Sequence, residues 1–307
     1  MSVRRALALA WLLAACDEPS ASAPGEPSAV ELPTPEAFGV SHRTFGDYWH
    51  QGAAELTRYR LRQARYGEIH EGEAVLIFVT EPFLPDEQLK LEHGDHPEAI
   101  QVLKLNAWRH FWTGVYPYTV LTSTFSPEAG GPALKVSGSV QEWCGHAYTQ
   151  LNRHDGQLRV RSHSYFQDEG DVDREFPEAA LEDGLFATIR RDPSELPIGP
   201  TALVPGLHHL RFVHRELRAY AAEATLDETE DERFGGRVRR YRVRYPELDR
   251  TLTIYFARAH PRPILGWEED GAAGHTEAVR TNAVLTDYWA HHGVGDGPYR
   301  AALGIGE

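Results

Sequence analysis

From about residue 55 to residue 167 the chain alternates apolar and polar positions with a period of two, broken at short intervals by turn residues. In the first such run Tyr59 and Leu61 alternate with Arg58, Arg60 and Arg62, the pattern of a strand with one wet face, over residues 55–66. Residues 67–72 then read as a turn. The next run, Ala74-Val75-Leu76-Ile77-Phe78-Val79, is apolar at every position, as expected of a central strand covered on both faces. A loop is expected over residues 82–97. Strands follow near 102–113 and 115–125, with Pro117 restricting the second to an edge or bulge position at that end. Gly130-Gly131 marks a hairpin loop, and residues 134–142 and 144–152 read either as one long strand bent near Gly145 or as two. After the turn Arg153-His154-Asp155-Gly156, the positions Leu158, Val160, Ser162, Ser164 and Phe166 alternate with Arg159, Arg161, His163 and Tyr165.

The period changes after Asp171. Ala180, Leu181, Leu185, Phe186 and Ile189 fall close to a helical stripe, so a short helical insertion is expected within residues 171–200; residues 207–217 also read as helical, and residues 218–226 read equally as a strand. Alternation then resumes: Tyr241, Val243 and Tyr245 face one way, and Leu252, Ile254 and Phe256 answer them across the turn Pro246-Glu247-Leu248-Asp249. A further pair is expected near 264–268 and 278–289. About ten strands in continuous order predict a mainly β protein, one large, strongly curved antiparallel sheet or half-barrel, because open twisted sheets of that size tend to curl.

The N-terminus carries a different kind of pattern. Arg4 and Arg5 precede an apolar stretch over residues 6–15, too short to span the roughly 30 Å hydrocarbon core of a bilayer. Leu13-Ala14-Ala15-Cys16 resembles the lipobox of bacterial lipoproteins. The resemblance implies that residues 1–15 are a removed signal peptide and that Cys16 carries the lipid, anchoring the protein to a membrane of the cell envelope with its domain outside the cytoplasm. Asp17 resembles an inner-membrane retention signal of some lineages, and the choice of membrane stays open. Residues 16–40, with Pro19, Pro24, Pro27, Pro33 and Pro35, read as a disordered tether, leaving residues 41–307 for one β-rich domain.

Charge narrows the partners. The chain carries a net −14, which loss of Arg4 and Arg5 takes to −16, and this speaks against nucleic acid and against lying flat on anionic lipid. With Cys16 lipidated, Cys144 is the one thiol left, so no intramolecular disulfide is expected.

Trp143-Cys144-Gly145-His146 is the most distinctive local cluster. A thiol beside a histidine suggests a nucleophile and a base. On one strand the two would share a face about 7 Å apart, beyond direct hydrogen bonding, and a buried, inert Cys144 is the competing expectation. Sixteen histidines invite a metal, but His208, His209 and His214, or His291 and His292, match no ligand motif, and the acidic run 168–173 lacks the spacing of a calcium loop. No phosphate loop, nucleophile elbow or dinucleotide fingerprint is present, so neither metal nor cofactor is expected. Tyr116, Tyr118, Trp143, Tyr148, Tyr165, Tyr255, Trp267, Tyr288 and Trp289 sit on or beside the expected strands; if several share the concave side, they line an apolar groove suited to acyl chains.

The stretches Ala74-Val75-Leu76-Ile77-Phe78-Val79-Thr80-Glu81-Pro82-Phe83, Val102-Leu103-Lys104-Leu105-Asn106 and Ser139-Val140-Gln141-Glu142-Trp143-Cys144-Gly145-His146 resemble those of an uncharacterised family of bacterial, notably Bacteroidetes, lipoproteins whose members are often labelled septum formation inhibitor Maf. The Ser-Pro-Arg-Arg type opening of the Maf pyrophosphatases is absent, Ser41-His42-Arg43 not matching it, so no residue role carries over. The hairpin over residues 241–256 with Pro263-Ile264-Leu265-Gly266-Trp267 resembles the curved sheets of lipoprotein carriers related to LolA and LolB. The expected role is a membrane-anchored, non-enzymatic protein binding an apolar ligand or an envelope partner. The alternatives are an envelope hydrolase using Cys144 and a structural scaffold.

Overall fold

The structure is a computed structural model describing residues 44–305. The expected signal peptide, Cys16 and the expected tether lie outside the described residues. The chain enters through a short helix, α1 (Phe45–Trp49), capped by Thr44, whose hydroxyl accepts from the Asp47 amide while the Asp47 side chain accepts from the Thr44 amide. Strands β1 (Ala54–Arg65), β2 (Glu68–Leu84), β3 (Leu89–Lys90), β4 (Ile100–Thr113), β5 (Tyr116–Pro127), β6 (Lys135–Glu142), β7 (Gly145–His154), β8 (Gln157–Ser164) and β9 (Val172–Pro177) follow as successive hairpins. After β10 (Ala180–Leu181) come α2 (Leu185–Arg191), β11 (Gly199–Val204) and α3 (Leu207–Phe212). The second run of hairpins is β12 (Tyr220–Asp231), β13 (Gly236–Tyr245), β14 (Arg250–Phe256), β15 (Ile264–Gly271) and β16 (Gly274–Thr286), and α4 (Gly297–Leu303) closes the described chain.

All sixteen strands belong to one sheet, in the order β10-β11-β12-β13-β14-β15-β16-β1-β2-β4-β5-β6-β7-β8-β9, with β3 paired to β2 off this path. The path is open, and every pairing is antiparallel except β10 with β11. The protein is thus mainly β, a large, mostly antiparallel sheet with short helices. The described residues hold more strands than the ten expected, in part because the stretch expected as a helical insertion also contains β9, β10 and β11 and the stretch expected as a loop contains β3.

The inward positions form one core. Leu76 and Phe78, Leu103 and Leu105, Tyr241 and Val243, and Leu252 and Ile254 alternate along their strands and pack with α2 and α3. The uniformly apolar run 74–79 is covered on both faces as its sequence implies, since Val75 and Ile77 point to the other side and pack with Val284 and with Leu303 of α4. The helical segment lies against the inward face, where Thr124 on β5 donates to the Asp183 carbonyl and Tyr241 on β13 to that of Pro197.

Several boundaries differ from expectation. The turn expected over 67–72 is only Tyr66-Gly67, both at positive φ (56° and 79°), the left-handed pair that two-residue hairpins favour. Gly72 lies inside β2, at a place where a Cβ would come 2.3 Å from the His110 carbonyl. The loop expected from residue 82 begins later, because β2 runs on to Leu84 and pairs with both β3 and β4. Residues 134–154 form two strands, and Pro117 takes the second position of β5, where it disturbs little of the ladder. α3 stops at Phe212, well short of residue 217.

Candidate functional site

α3 lies over β6 because Gly138 leaves room for it: a Cβ there would stand 3.1 Å from the Leu207 side chain. Its first turn is fixed by the Leu207 amide donating to Asp183 Oδ2 at 3.0 Å. Its last turn closes with two bonds, Val213 amide to His209 carbonyl and Arg215 amide to Leu210 carbonyl, each 3.0 Å. The second of these, spanning six residues, is the closure that usually places a glycine in the left-handed position. Here His214 occupies it, at φ 51°, and its ring meets Glu169, Nδ1 to Oε1 at 2.6 Å. Arg211 donates to the same oxygen at 3.1 Å and Ser164 to Oε2 at 2.8 Å, while the Arg211 guanidinium stacks 4.0 Å from the Phe166 ring centroid.

Between α3 and strands β5 to β9 this arrangement leaves a cavity of about 290 Å³. Its wall is aliphatic, with Val120, Val140, Val160, Leu207 and Leu210, and is punctuated by the hydroxyls of Thr122, Thr149 and Ser162. Two ion pairs mark it, Glu169 with Arg211 and Arg174 with Glu216 at 2.8 Å. An apolar chamber with a few hydroxyls, and with Glu169 and Arg174 already paired, can hold an apolar molecule.

Beneath α3 a chain of charges crosses the inward face. Arg109 on β4 donates to Glu269 on β15 at 2.9 Å, Arg250 on β14 donates to the other Glu269 oxygen at 2.9 Å, and Arg250 also grips Glu182 in a bidentate pair at 2.5 and 2.8 Å. All four side chains are nearly inaccessible. Burial alone would raise both carboxyls, but Arg250 holds Glu182 below its ordinary range, and Arg109 and Arg250 hold Glu269 well below it. Asp183 has no such cation pair; burial and the charge of Glu182 push it up to about 7. His208, buried and 3.5 Å from Glu269, is held down by burial and by Arg109. His209 is lowered to about 3 by burial and Arg250 and is therefore neutral. Arg109, Glu182, Asp183, His208 and Glu269 line a void of only about 30 Å³, room for roughly one water. A second buried pair closes the opposite end, where Arg190 of α2 binds Glu55 of β1 through both oxygens at 2.5 Å and donates to the Pro261 carbonyl at 2.8 Å.

The sequence-selected thiol lies elsewhere. Cys144 sits in the two-residue turn between β6 and β7 and is exposed, neither buried nor on a strand beside His146 as expected. Its amide donates to Glu142 Oε2 at 2.6 Å, and hydrogen bonding and charge from that carboxylate raise the thiol pKa, the opposite of what a nucleophile needs. His146 is exposed at the start of β7 and borders a shallow outer depression with Tyr148, His163 and Tyr165.

The aromatic side chains do not line the cavity. Tyr118 and Trp267 are core residues, Tyr255 is buried and bonded to Glu268, Trp143, Tyr148 and Tyr165 are exposed, and Trp289 is half-exposed. Tyr288 adjoins Trp289 in a single helical turn. His208 and His214 both line the cavity, whereas His291 pairs with Asp287 at 2.9 Å. Among the described residues no three His, Cys, Asp or Glu side chains gather as a metal site.

The sequence reading missed Arg109, Glu182, Arg250 and Glu269. One signal was present: Arg109 interrupts the inward series Leu103, Leu105, Ala107, Phe111, so a charge stands at a core position.

No protein-family model matches the chain, and no curated protein matches it. Among solved structures it is similar to the crystal structure of a β-barrel-like protein of domain of unknown function DUF1849 from Brucella abortus, at 10% identity and a TM-score of 0.46, covering 76% of this chain and 98% of that one.

Proposed function

We propose that this is a non-enzymatic binding protein of the cell envelope, tethered through the lipid on Cys16 and folded as a strongly curved half-barrel, whose cavity under α3 takes an apolar ligand. The observation that carries this reading is the chamber of about 290 Å³, walled by aliphatic side chains and hydroxyls and held open by α3. Its volume stands at the lower end of small-molecule sites and equals roughly ten water-sized or methylene-sized groups of about 30 Å³ each. The Cys144 thiol, raised by Glu142 and outside any cavity with His146, gives the hydrolase alternative no support.

Native mass spectrometry with lipid extraction on the full chain, purified from a host with a cell envelope, tests the reading. A stoichiometric apolar molecule is expected with the native sequence and is expected to be lost in Ala147→Trp, which fills the cavity from β7. Identical apo masses for both, together with no binding of added decanol, would overturn it.

A further inference from the structure

On the other side of α3 a second chamber, of about 240 Å³, opens against β1 and the β15–β16 hairpin. Its electrostatics differ from those of the aliphatic cavity. Three guanidiniums line it, those of Arg65, Arg215 and Arg250, facing the carboxylates of Glu269 and Asp270. Both carboxylates are already engaged, Glu269 by Arg109 and Arg250, and Asp270 by His275 at 2.8 Å. Two cations are left over.

Arg65, only 9% exposed, donates to the Phe212 carbonyl at 2.6 Å and to the phenol oxygens of Tyr118 and Tyr66 at 3.3 and 3.4 Å. These are neutral acceptors, and among the described residues no carboxylate pairs with Arg65. A buried charge without a counter-ion is costly. Arg215, placed by the closure of α3, has neither an ion pair nor a side-chain hydrogen bond among the described residues, although its neighbours Arg211 and Arg218 pair with Glu169 and Glu247.

We infer that this chamber is an oxyanion site, built to receive a carboxylate or phosphate group between Arg65 and Arg215. Its volume admits roughly eight water-sized groups, so the anion is small. It is either a free small anion or the head of an amphiphile, since Arg215 and His208 also line the aliphatic cavity. Only the amphiphile source rests on the reading of that cavity given above.

Calorimetric titration of the full chain with inorganic phosphate, decyl phosphate and decanol tests the site. Binding of phosphate or decyl phosphate at one per chain is expected, weakened at least tenfold in Arg215→Gln, unchanged in Arg218→Gln and falling with added salt. Comparable affinities for the two phosphates identify a free anion as the ligand, and a much tighter decyl phosphate identifies an amphiphile. If neither phosphate binds, or if Arg215→Gln binds both as tightly as the native chain, the site is overturned. Decanol binding in that event would leave the apolar-cavity reading standing, and its absence would remove that reading as well.

Discussion

Arg109 and Glu269 form a 2.9 Å ion pair although three strands, β16, β1 and β2, separate their own strands in the sheet. With neighbouring strands about 4.8 Å apart, four steps across a flat sheet would cover roughly 19 Å, so the sheet bends between β15 and β4 until inward side chains meet. The pair is also desolvated, at 9% and 10% side-chain exposure. Two such charges are tolerable because Arg250 and Glu182 extend them into an alternating chain in which each carboxylate has a guanidinium partner.

Arg109→Met is therefore expected to cost about 3–5 kcal/mol, because it deprives buried Glu269 of one of its two cations. The double variant Arg109→Met, Glu269→Leu should recover part of that loss, since Arg250 keeps Glu182. Urea midpoints of the native protein, Arg109→Met, Glu269→Leu and the double variant give the coupling; a double variant whose loss equals the sum of the two single losses would mean that the pair is not coupled.

Asp183 predicts a pH dependence whose sign follows from its direction of shift. Its folded pKa of about 7 lies above the unfolded value of about 3.9, so between those values the native state holds a proton that the unfolded state has released. Stability contributed by this group is present at low pH and declines as pH rises from about 4 to about 7. Glu182 and Glu269, shifted down, act oppositely, and their contribution is lost only on acidification below the usual carboxylate range. Asp183→Asn keeps an oxygen for the Leu207 amide and removes the proton. Its urea midpoint should gain on the native protein steadily between pH 4.5 and 7.5, and a gap independent of pH would contradict the assignment.

How much of this was legible depends on what each feature is made of. The hairpins β13–β14 and β7–β8 could be read from alternation because one face of each is apolar and the other charged, as in Tyr241, Val243 and Tyr245 against Arg240, Arg242 and Arg244. β9, with Val172 and Phe176 among Asp173, Arg174 and Glu175, has little to alternate and pairs only through its neighbour β8. The cavity was hidden for a different reason. Its walls come from β5 to β9, while α3, over forty residues later than β8, forms its lid through contact with Gly138, a relation that no local pattern encodes. Trp143 and Cys144 drew attention by rarity, yet their turn leaves both exposed.

The turn containing Cys144 makes its own prediction. With Glu142 raising its pKa, the exposed thiol should react with iodoacetamide near neutral pH more slowly than an ordinary cysteine, because the thiolate is the reactive form. Glu142→Gln should accelerate the reaction, and Cys144→Ser should leave stability and ligand binding unchanged. Mass mapping of the peptide carrying Cys144 over time separates it from Cys16. Equal rates in the native chain and Glu142→Gln would show that the carboxylate does not govern the thiol.

Two glycines five residues apart test separate constraints in one hairpin. Gly67 is needed for conformation: it sits at φ 79° with nothing within 4 Å of an added Cβ, so Gly67→Ala should cost about 1–2 kcal/mol, the ordinary penalty for a left-handed L-residue. Gly72 is needed for space: an added Cβ would lie 2.3 Å from the His110 carbonyl and 2.6 Å from Phe111 Cβ, with main chain on the neighbouring strand that cannot rotate away. Gly72→Ala must push β4 from β2, and overpacking of this kind costs about 3 kcal/mol or more. Because β4 also carries Arg109, the displacement should loosen the Arg109–Glu269 pair and lower the urea midpoint further than Gly67→Ala does. If the two variants lose equal stability, β2 and β4 do not approach as closely at Gly72 as the register Gly72 to Phe111 requires.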